Sequence, residues 1–170
     1  MFKVNDKVLD KNGMVFSIES VIEKDFGDGP VSYFVLDPCF DYDFGQGYKS
    51  YIPVSKSDSL LRPVLDKEEA LALIDQFPKL ETYENVSPRE RKTFFVKIIS
   101  NGNRTDICKI IKTLVNYRKQ RESINKPFSD YDRRLLISLT SLLCNEMSMA
   151  LDMIPSDVIP FINSRTGLGI

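Results

Sequence analysis

Histidine is absent from the 170 residues. That removes the side chain most used for acid–base work near neutral pH, and a common nitrogen ligand for zinc. The three cysteines, Cys39, Cys108 and Cys144, are odd in number and far apart, with none of the paired spacing that zinc sites use. Reduced thiols are expected, with Cys108 and Cys144 buried in apolar helical stretches, and neither a metal nor any other cofactor is expected. No glycine-rich loop leads into a helix: Gly45-Gln46-Gly47 runs into a strand candidate. A G-x-S-x-G elbow is missing too. No apolar run approaches the roughly 18 residues of a spanning helix. The opening Met1-Phe2-Lys3-Val4-Asn5-Asp6 lacks the apolar core of a signal peptide. These absences lead us to expect a cytoplasmic protein that is not an enzyme and has no membrane span and no small-molecule substrate.

The charge that is present is unevenly placed. Residues 1–80 carry nine Lys and Arg against fourteen Asp and Glu, a net of −5, whereas residues 81–170 carry fourteen against ten, a net of +4. The stretch 85–134 alone holds thirteen basic and five acidic side chains, a net of +8. An acidic partner for the second half, nucleic acid among the candidates, follows from that asymmetry.

Hydrophobic periodicity divides the chain at about the same place. Short strand candidates fall at 2–4, 7–9, 14–26, 31–36, 48–54 and 60–65, separated by Asn12-Gly13, Gly27-Asp28-Gly29-Pro30 and the run 37–47. Segment 31–36 is apolar on both faces apart from Ser32, as a buried central strand would be. Pro53 cannot donate to a ladder, which sends 48–54 to a sheet edge. Phe16, Phe26, Tyr33 and Phe34 read mostly as core. From residue 66 the period becomes helical. Asp66-Lys67-Glu68-Glu69 is a capping-box pattern opening a helix that stops before Pro78. Ser87-Pro88-Arg89-Glu90 opens a second helix, ending at Asn101-Gly102. Ile107, Ile110, Ile111, Leu114 and Val115 stripe a third, over about 104–122. Ser129-Asp130-Tyr131-Asp132 opens a fourth, over 130–153; a short one near 156–163 closes the series, with a frayed tail at 164–170. The expected fold class is α+β: a small Tudor- or SH3-like β-barrel over residues 1–65, then an all-α helical bundle with a basic face over 66–170.

Three features suggest contact surfaces, each with a blander alternative. Asp37, Asp41 and Asp43 crowd one loop, but their spacing matches no calcium loop and aromatics are interleaved, so a solvated acidic loop is expected. Tyr48, Lys49 and Tyr51 mix aromatic and charged character on the edge candidate, where a partner strand can add; filler on the strand is the other reading. Arg89, Arg91 and Lys92 begin one helix, Arg133 and Arg134 another, and Lys109, Lys112 and Lys119 recur at spacings of 3 and 7 on the helix between, away from its Ile stripe. Such a surface attracts phosphates, although a solvated helical face needs no ligand. No helix-turn-helix or zinc-finger signature indicates base readout.

Several segments, in order, resemble the CarD family of bacterial transcription regulators, whose first domain is shared with the transcription–repair coupling factor. They are Phe2-Lys3-Val4-Asn5-Asp6-Lys7-Val8, Tyr33-Phe34-Val35-Leu36, Ile52-Pro53-Val54, Leu61-Arg62-Pro63-Val64-Leu65-Asp66-Lys67-Glu68-Glu69, Asp106-Ile107-Cys108-Lys109-Ile110-Ile111-Lys112-Thr113-Leu114, Phe128-Ser129-Asp130-Tyr131-Asp132-Arg133-Arg134 and Asn145-Glu146-Met147-Ser148-Met149-Ala150-Leu151. The resemblance covers about residues 1–162 and rests on order and spacing, since no single motif is very specific. It implies a Tudor-like domain that docks on the RNA polymerase β subunit, a helical domain that meets promoter DNA near the upstream edge of the melted bubble, and no catalysis. Such a regulator shifts the balance between closed and open promoter complexes by binding one better than the other. The implied polymerase contacts are Lys24, Asp25, Tyr48, Lys49 and Tyr51, and the DNA contacts Val86, Arg89, Arg91, Lys92 and Lys119. The chain departs from the family where a Trp precedes the first basic helix: the matching stretch is Asn85-Val86-Ser87, and Trp is absent throughout. It departs again where the family uses Arg on its β-domain, at Lys24-Asp25 and Tyr51, and the 37–47 loop is expanded. An adaptor that binds polymerase without touching DNA is the alternative these departures raise.

Overall fold

Asn12-Gly13 does turn a hairpin. In the computed structural model, which describes every residue except Phe26, Asp28, Asn85, Asn101 and Gly102, Gly13 takes a φ of 82°, the left-handed region open to glycine. The Asp10 carboxylate accepts from the backbone N–H groups of Asn12 and Met14, both at 2.9 Å. This Asx geometry joins β1 (Lys7–Asp10) to β2 (Val15–Asp25). The core position expected of Phe26, the turn at Asp28 and the helix stop at Asn101-Gly102 lie outside the described residues, as does Asn85.

Two units follow one another, Met1–Val64 and Leu65–Ile170. In the first, β3 (Pro30–Pro38), β4 (Ser50–Pro53) and β5 (Leu61–Pro63) complete an antiparallel sheet in the order β4-β3-β2-β1-β5. The sheet is open, since no ladder joins β4 to β5 among the described residues. Both end strands are short, and the chain between them coils into a 3-10 turn (Val54–Lys56) and one helical turn, α1 (Ser57–Leu60). The strand expected at 2–4 does not form. Asn5 turns the chain at φ 75°, so only Asn5 and Asp6 bond across to Ile18, while Phe2 packs on the core. Val8, Phe16, Ile18, Phe34, Leu36 and Leu61 make that core, on one face of the sheet. β3 is buried on both faces only over Phe34, Val35 and Leu36, and Val31 emerges at its end.

The second unit is helical: α2 (Lys67–Gln76), α3 (Pro88–Ser100), α4 (Arg104–Ser123), α5 (Asp130–Leu151) and α6 (Pro155–Thr166). The capping box at Asp66 is complete: its carboxylate accepts from the Glu69 N–H at 2.8 Å, and the Glu69 carboxylate accepts from the Asp66 N–H at 3.0 Å. Asn103 and Ser129 cap α4 and α5 in the same sense. Phe77, Phe95, Ile111, Leu114, Met147 and Ile162 are at the centre of one apolar core, which also takes in Cys108 and Cys144. α6 outruns the expected 156–163 at both ends, from Pro155 in its first turn to the left-handed Gly167 (φ 68°) that closes it. The frayed tail expected at 164–170 is instead bound back. The Ile170 N–H donates to Asn163 Oδ1 at 2.9 Å, Arg118 donates to the Gly169 carbonyl at 2.8 Å, and Lys119 Nζ donates to the Leu168 carbonyl. Among the described residues no single helix is long and apolar enough to cross a membrane.

Candidate functional site

The register of the sheet decides which side chains face away from the core. Ser20 pairs with Val35 and Val35 with Tyr51; Ile22 pairs with Tyr33, and Lys24 with Val31. Since side chains alternate along a strand, Lys24, Ile22, Tyr33, Val35 and Tyr51 share the face opposite Phe34 and Leu36. Lys24 Nζ sits 4.2 Å from the centroid of the Tyr51 ring, whose side chain is 47% exposed. Lys49, just before β4, lies 2.8 Å from Asp37 and 3.0 Å from Glu19. The hydrogen bonds it donates, to Asp37 first and then to Glu19, hold its ammonium above the usual lysine range. β4 pairs with β3 on one side, and no strand pairs with its other side among the described residues.

Of the five residues expected to meet a partner here, Lys24, Lys49 and Tyr51 come together on or beside β4. Asp25 instead organises the β2–β3 turn, where its Oδ1 accepts from the N–H groups of Gly27 and Gly29 at 2.8 and 3.1 Å. Tyr48 stacks on Phe44, with centroids 4.1 Å apart and planes 24° apart. That stack continues through Tyr42 to Phe16 of the core. The Tyr42 hydroxyl accepts from the Val15 N–H at 2.8 Å, so the 37–47 loop is anchored to the sheet. A purely solvated acidic loop is thus not what forms: Asp41 and Asp43 are exposed, but an aromatic ladder pins the loop. The alternation Phe40-x-Tyr42-x-Phe44 is the sequence signal for it.

In the helical unit the basic residues separate into two groups. Arg89 and Lys92 are exposed on α3 and, among the described residues, have no carboxylate partner. Lys92 Nζ lies 5.8 Å from the Tyr131 ring centroid on α5. Val86 is half-buried just ahead of α3. Arg91, expected beside them as a DNA contact, turns inward and is 8% exposed. Its Nη1 donates to Asp132 Oδ2 at 2.8 Å, its guanidinium covers the Tyr117 ring at 4.1 Å, and the Ser129 hydroxyl holds the same Asp132 oxygen at 2.9 Å. Lys119 is exposed, but its ammonium is engaged by the Leu168 carbonyl. Lys112 donates to the carbonyls of Pro78 and Leu80, both at 2.6 Å, and Lys109 pairs with Asp106 at 3.4 Å. The expected lysine face of α4 is therefore largely engaged in joining α4 to its neighbours. Sequence reasoning misses Asp132 as the partner of Arg91; the Ser129 cap three residues earlier is the signal that this carboxylate is oriented.

Burial raises the thiol pKa of Cys108 to about 12, with Glu146 adding to it, and that of Cys144 to about 11. Among the described residues no group of three His, Cys, Asp or Glu side chains is arranged to hold a metal ion. No protein-family model matches this chain, and no curated protein matches it.

Proposed function

We propose that this chain is a CarD-like, non-enzymatic transcription regulator of the bacterial cytoplasm. Its first unit, a Tudor-like module in this reading, docks on the RNA polymerase β subunit. The observation that carries the proposal is the side of β4 left unpaired among the described residues, beside the exposed Lys24–Tyr51 pair and Lys49. Such an edge offers backbone groups for an added strand, and the mixed aromatic–cationic face beside it supplies selectivity. In the second unit Arg89 and Lys92, with Val86 ahead of them, would touch promoter DNA through its phosphates. Arg91 leaves that set because its charge is satisfied inside, and Lys119 contributes at most its remaining donors.

Co-elution of the full chain with purified RNA polymerase on gel filtration tests the docking, and separate elution refutes it. Reversal of both cations, R89E with K92E, should lower affinity for a polymerase–promoter complex and flatten its dependence on salt, since each lost phosphate contact removes about one unit from the slope of log K against log salt. An adaptor that binds polymerase without DNA is the second reading, favoured by the internal engagement of Arg91, Lys112 and Lys119. Footprints of a polymerase–promoter complex with and without the protein separate the two.

A further inference from the structure

We propose that the helical unit holds a binding site for an amphipathic carboxylate, an acid with an unbranched or lightly branched apolar body, in a groove lined by α4, α5 and α6. The groove encloses about 430 Å³, within the roughly 300–1,000 Å³ of sites that bury most of a small ligand. Phe128, Leu136, Ile137, Ile159 and the bound-back Ile170 supply its apolar lining, and Arg118 and Arg133 stand beside them. Ile137 is 63% exposed, an apolar side chain facing the groove where solvent now lies. Displacing that water with a hydrocarbon body is favourable in proportion to the area covered.

The polar groups select the head of the ligand. Two guanidiniums, Arg118 and Arg133, line the groove against one side-chain carboxylate, Glu122, with Ile170 also on its wall, so among its side chains an anion is favoured over an amine or a neutral alcohol. Arg133 is loosely held: its Nη1 is 3.8 Å from Asp130 and its Nη2 is 3.5 Å from the Phe128 carbonyl, at the limit of a hydrogen bond. Its planar fork can turn onto a carboxylate in the bidentate manner. Arg118 keeps donors beyond the one that meets Gly169. Among the described residues the Thr140 hydroxyl beside the groove is buried and has no hydrogen-bond partner. A buried hydroxyl left in that state is destabilising, which makes the site polar in one more place than its apolar lining requires.

Titration of the full chain with decanoate in a calorimeter tests the site, with decanol as the uncharged analogue. Arg133 and Ile137 are both exposed, so R133Q and I137Q are expected to keep the fold, which unchanged melting verifies. Saturable decanoate binding is expected. It should weaken by about tenfold in R133Q, the scale of one charge-assisted hydrogen bond, and weaken in I137Q as well. Decanol should bind at least about tenfold less tightly than decanoate on the same basis. No saturable binding overturns the site. Equal affinity for decanol and decanoate, or an unchanged R133Q, overturns the carboxylate assignment and with it the proposal.

Discussion

At the scale of single residues, the most consequential side chain is Arg91. It lies between two exposed cations on the same turn, yet its guanidinium is enclosed by Asp132 and Tyr117, and the Ser129 hydroxyl fixes that same Asp132 oxygen. Removing one member of a buried ion pair leaves the other charged and unsolvated, at a cost of about 3–5 kcal/mol. D132A should therefore destabilise the helical unit by that order in urea unfolding, whereas R89A, on the solvated side of the helix, should change it by less than about 0.5 kcal/mol. Comparable losses from both would contradict the assignment of Arg91 and Arg89 to different environments. The thiols give a second test. Folding raises the Cys108 pKa above its ordinary 9.0 to about 12. Because the folded value is the higher one, the associated stability is intact below pH 9 and is lost as pH rises from 9 toward 12. At pH 8 a thiol reagent should label native protein at the half-buried Cys39 alone and reach Cys108 and Cys144 only after urea is added. Rapid native labelling of Cys108 would contradict the burial.

Among the elements, the 40–48 loop and the α2–α6 contact are the clearest cases. Tyr42 pins the loop with one hydroxyl acceptor and ring contacts to Phe16, Phe40 and Phe44. Y42F removes the acceptor and leaves the Val15 N–H wanting, a loss of about 1–3 kcal/mol. The signature in spectra would be an unstacked Phe44–Tyr48 pair in Y42A but not in Y42F. Asp75 of α2 meets Arg165 of α6 at 2.7 Å, and the hydrogen bond from that guanidinium holds its carboxyl below the usual 3.8. A depressed carboxylate stabilises above its unfolded value, and the contribution is lost as pH falls from about 3.8 through the lowered pKa. R165Q should thus lower stability slightly at pH 7, where the Asp75 carboxylate is charged, and the difference from the wild type should shrink as pH falls below about 3.8 toward the lowered pKa; a difference that does not change with pH would mean the charge pair contributes nothing.

Much of this element plan is legible locally, and what is not has a common cause. The Asp66, Ser87 and Ser129 caps are short-range patterns, and each helix begins where its cap sits. The edge position of β4 follows from Pro53, a single residue unable to donate. Sheet closure depends on pairing between strands remote from one another in the chain's order, which no local pattern encodes, and the coil at 54–60 takes the length that closure would need. Partners are harder still to see. Charge alone groups Arg91 with Arg89 and Lys92, but only the approach of α5 to α3 shows that Asp132 neutralises it. Lys112 and Lys119 lie on the predicted face and bond to backbone carbonyls remote in sequence. For the same reason a tail that reads as polar and glycine-rich is fastened by Asn163 and Arg118.

On the scale of the whole molecule, an acidic β-unit precedes a basic helical unit, and the proposed division of labour follows that polarity. The first unit is read as the attachment to polymerase, and the second as the contact with a polyanion, through fewer cations than composition suggests. Charged contacts of this kind act chiefly on encounter and salt dependence, while the desolvated centre sets lifetime. Lys24 and Tyr51 are the centre of the proposed attachment: Lys24, from β2, reaches across β3 to the ring of Tyr51 on β4, the strand whose other side is unpaired among the described residues. The measurement that bears most directly on this proposal is the affinity of the full chain for purified bacterial RNA polymerase β subunit, by interferometry, for the wild type and for K24E with Y51A. Saturable binding that weakens at least about a hundredfold in the double variant, the range of an interface hot spot, is the predicted result. Absent binding of the wild type, or equal binding of the two proteins, would contradict it.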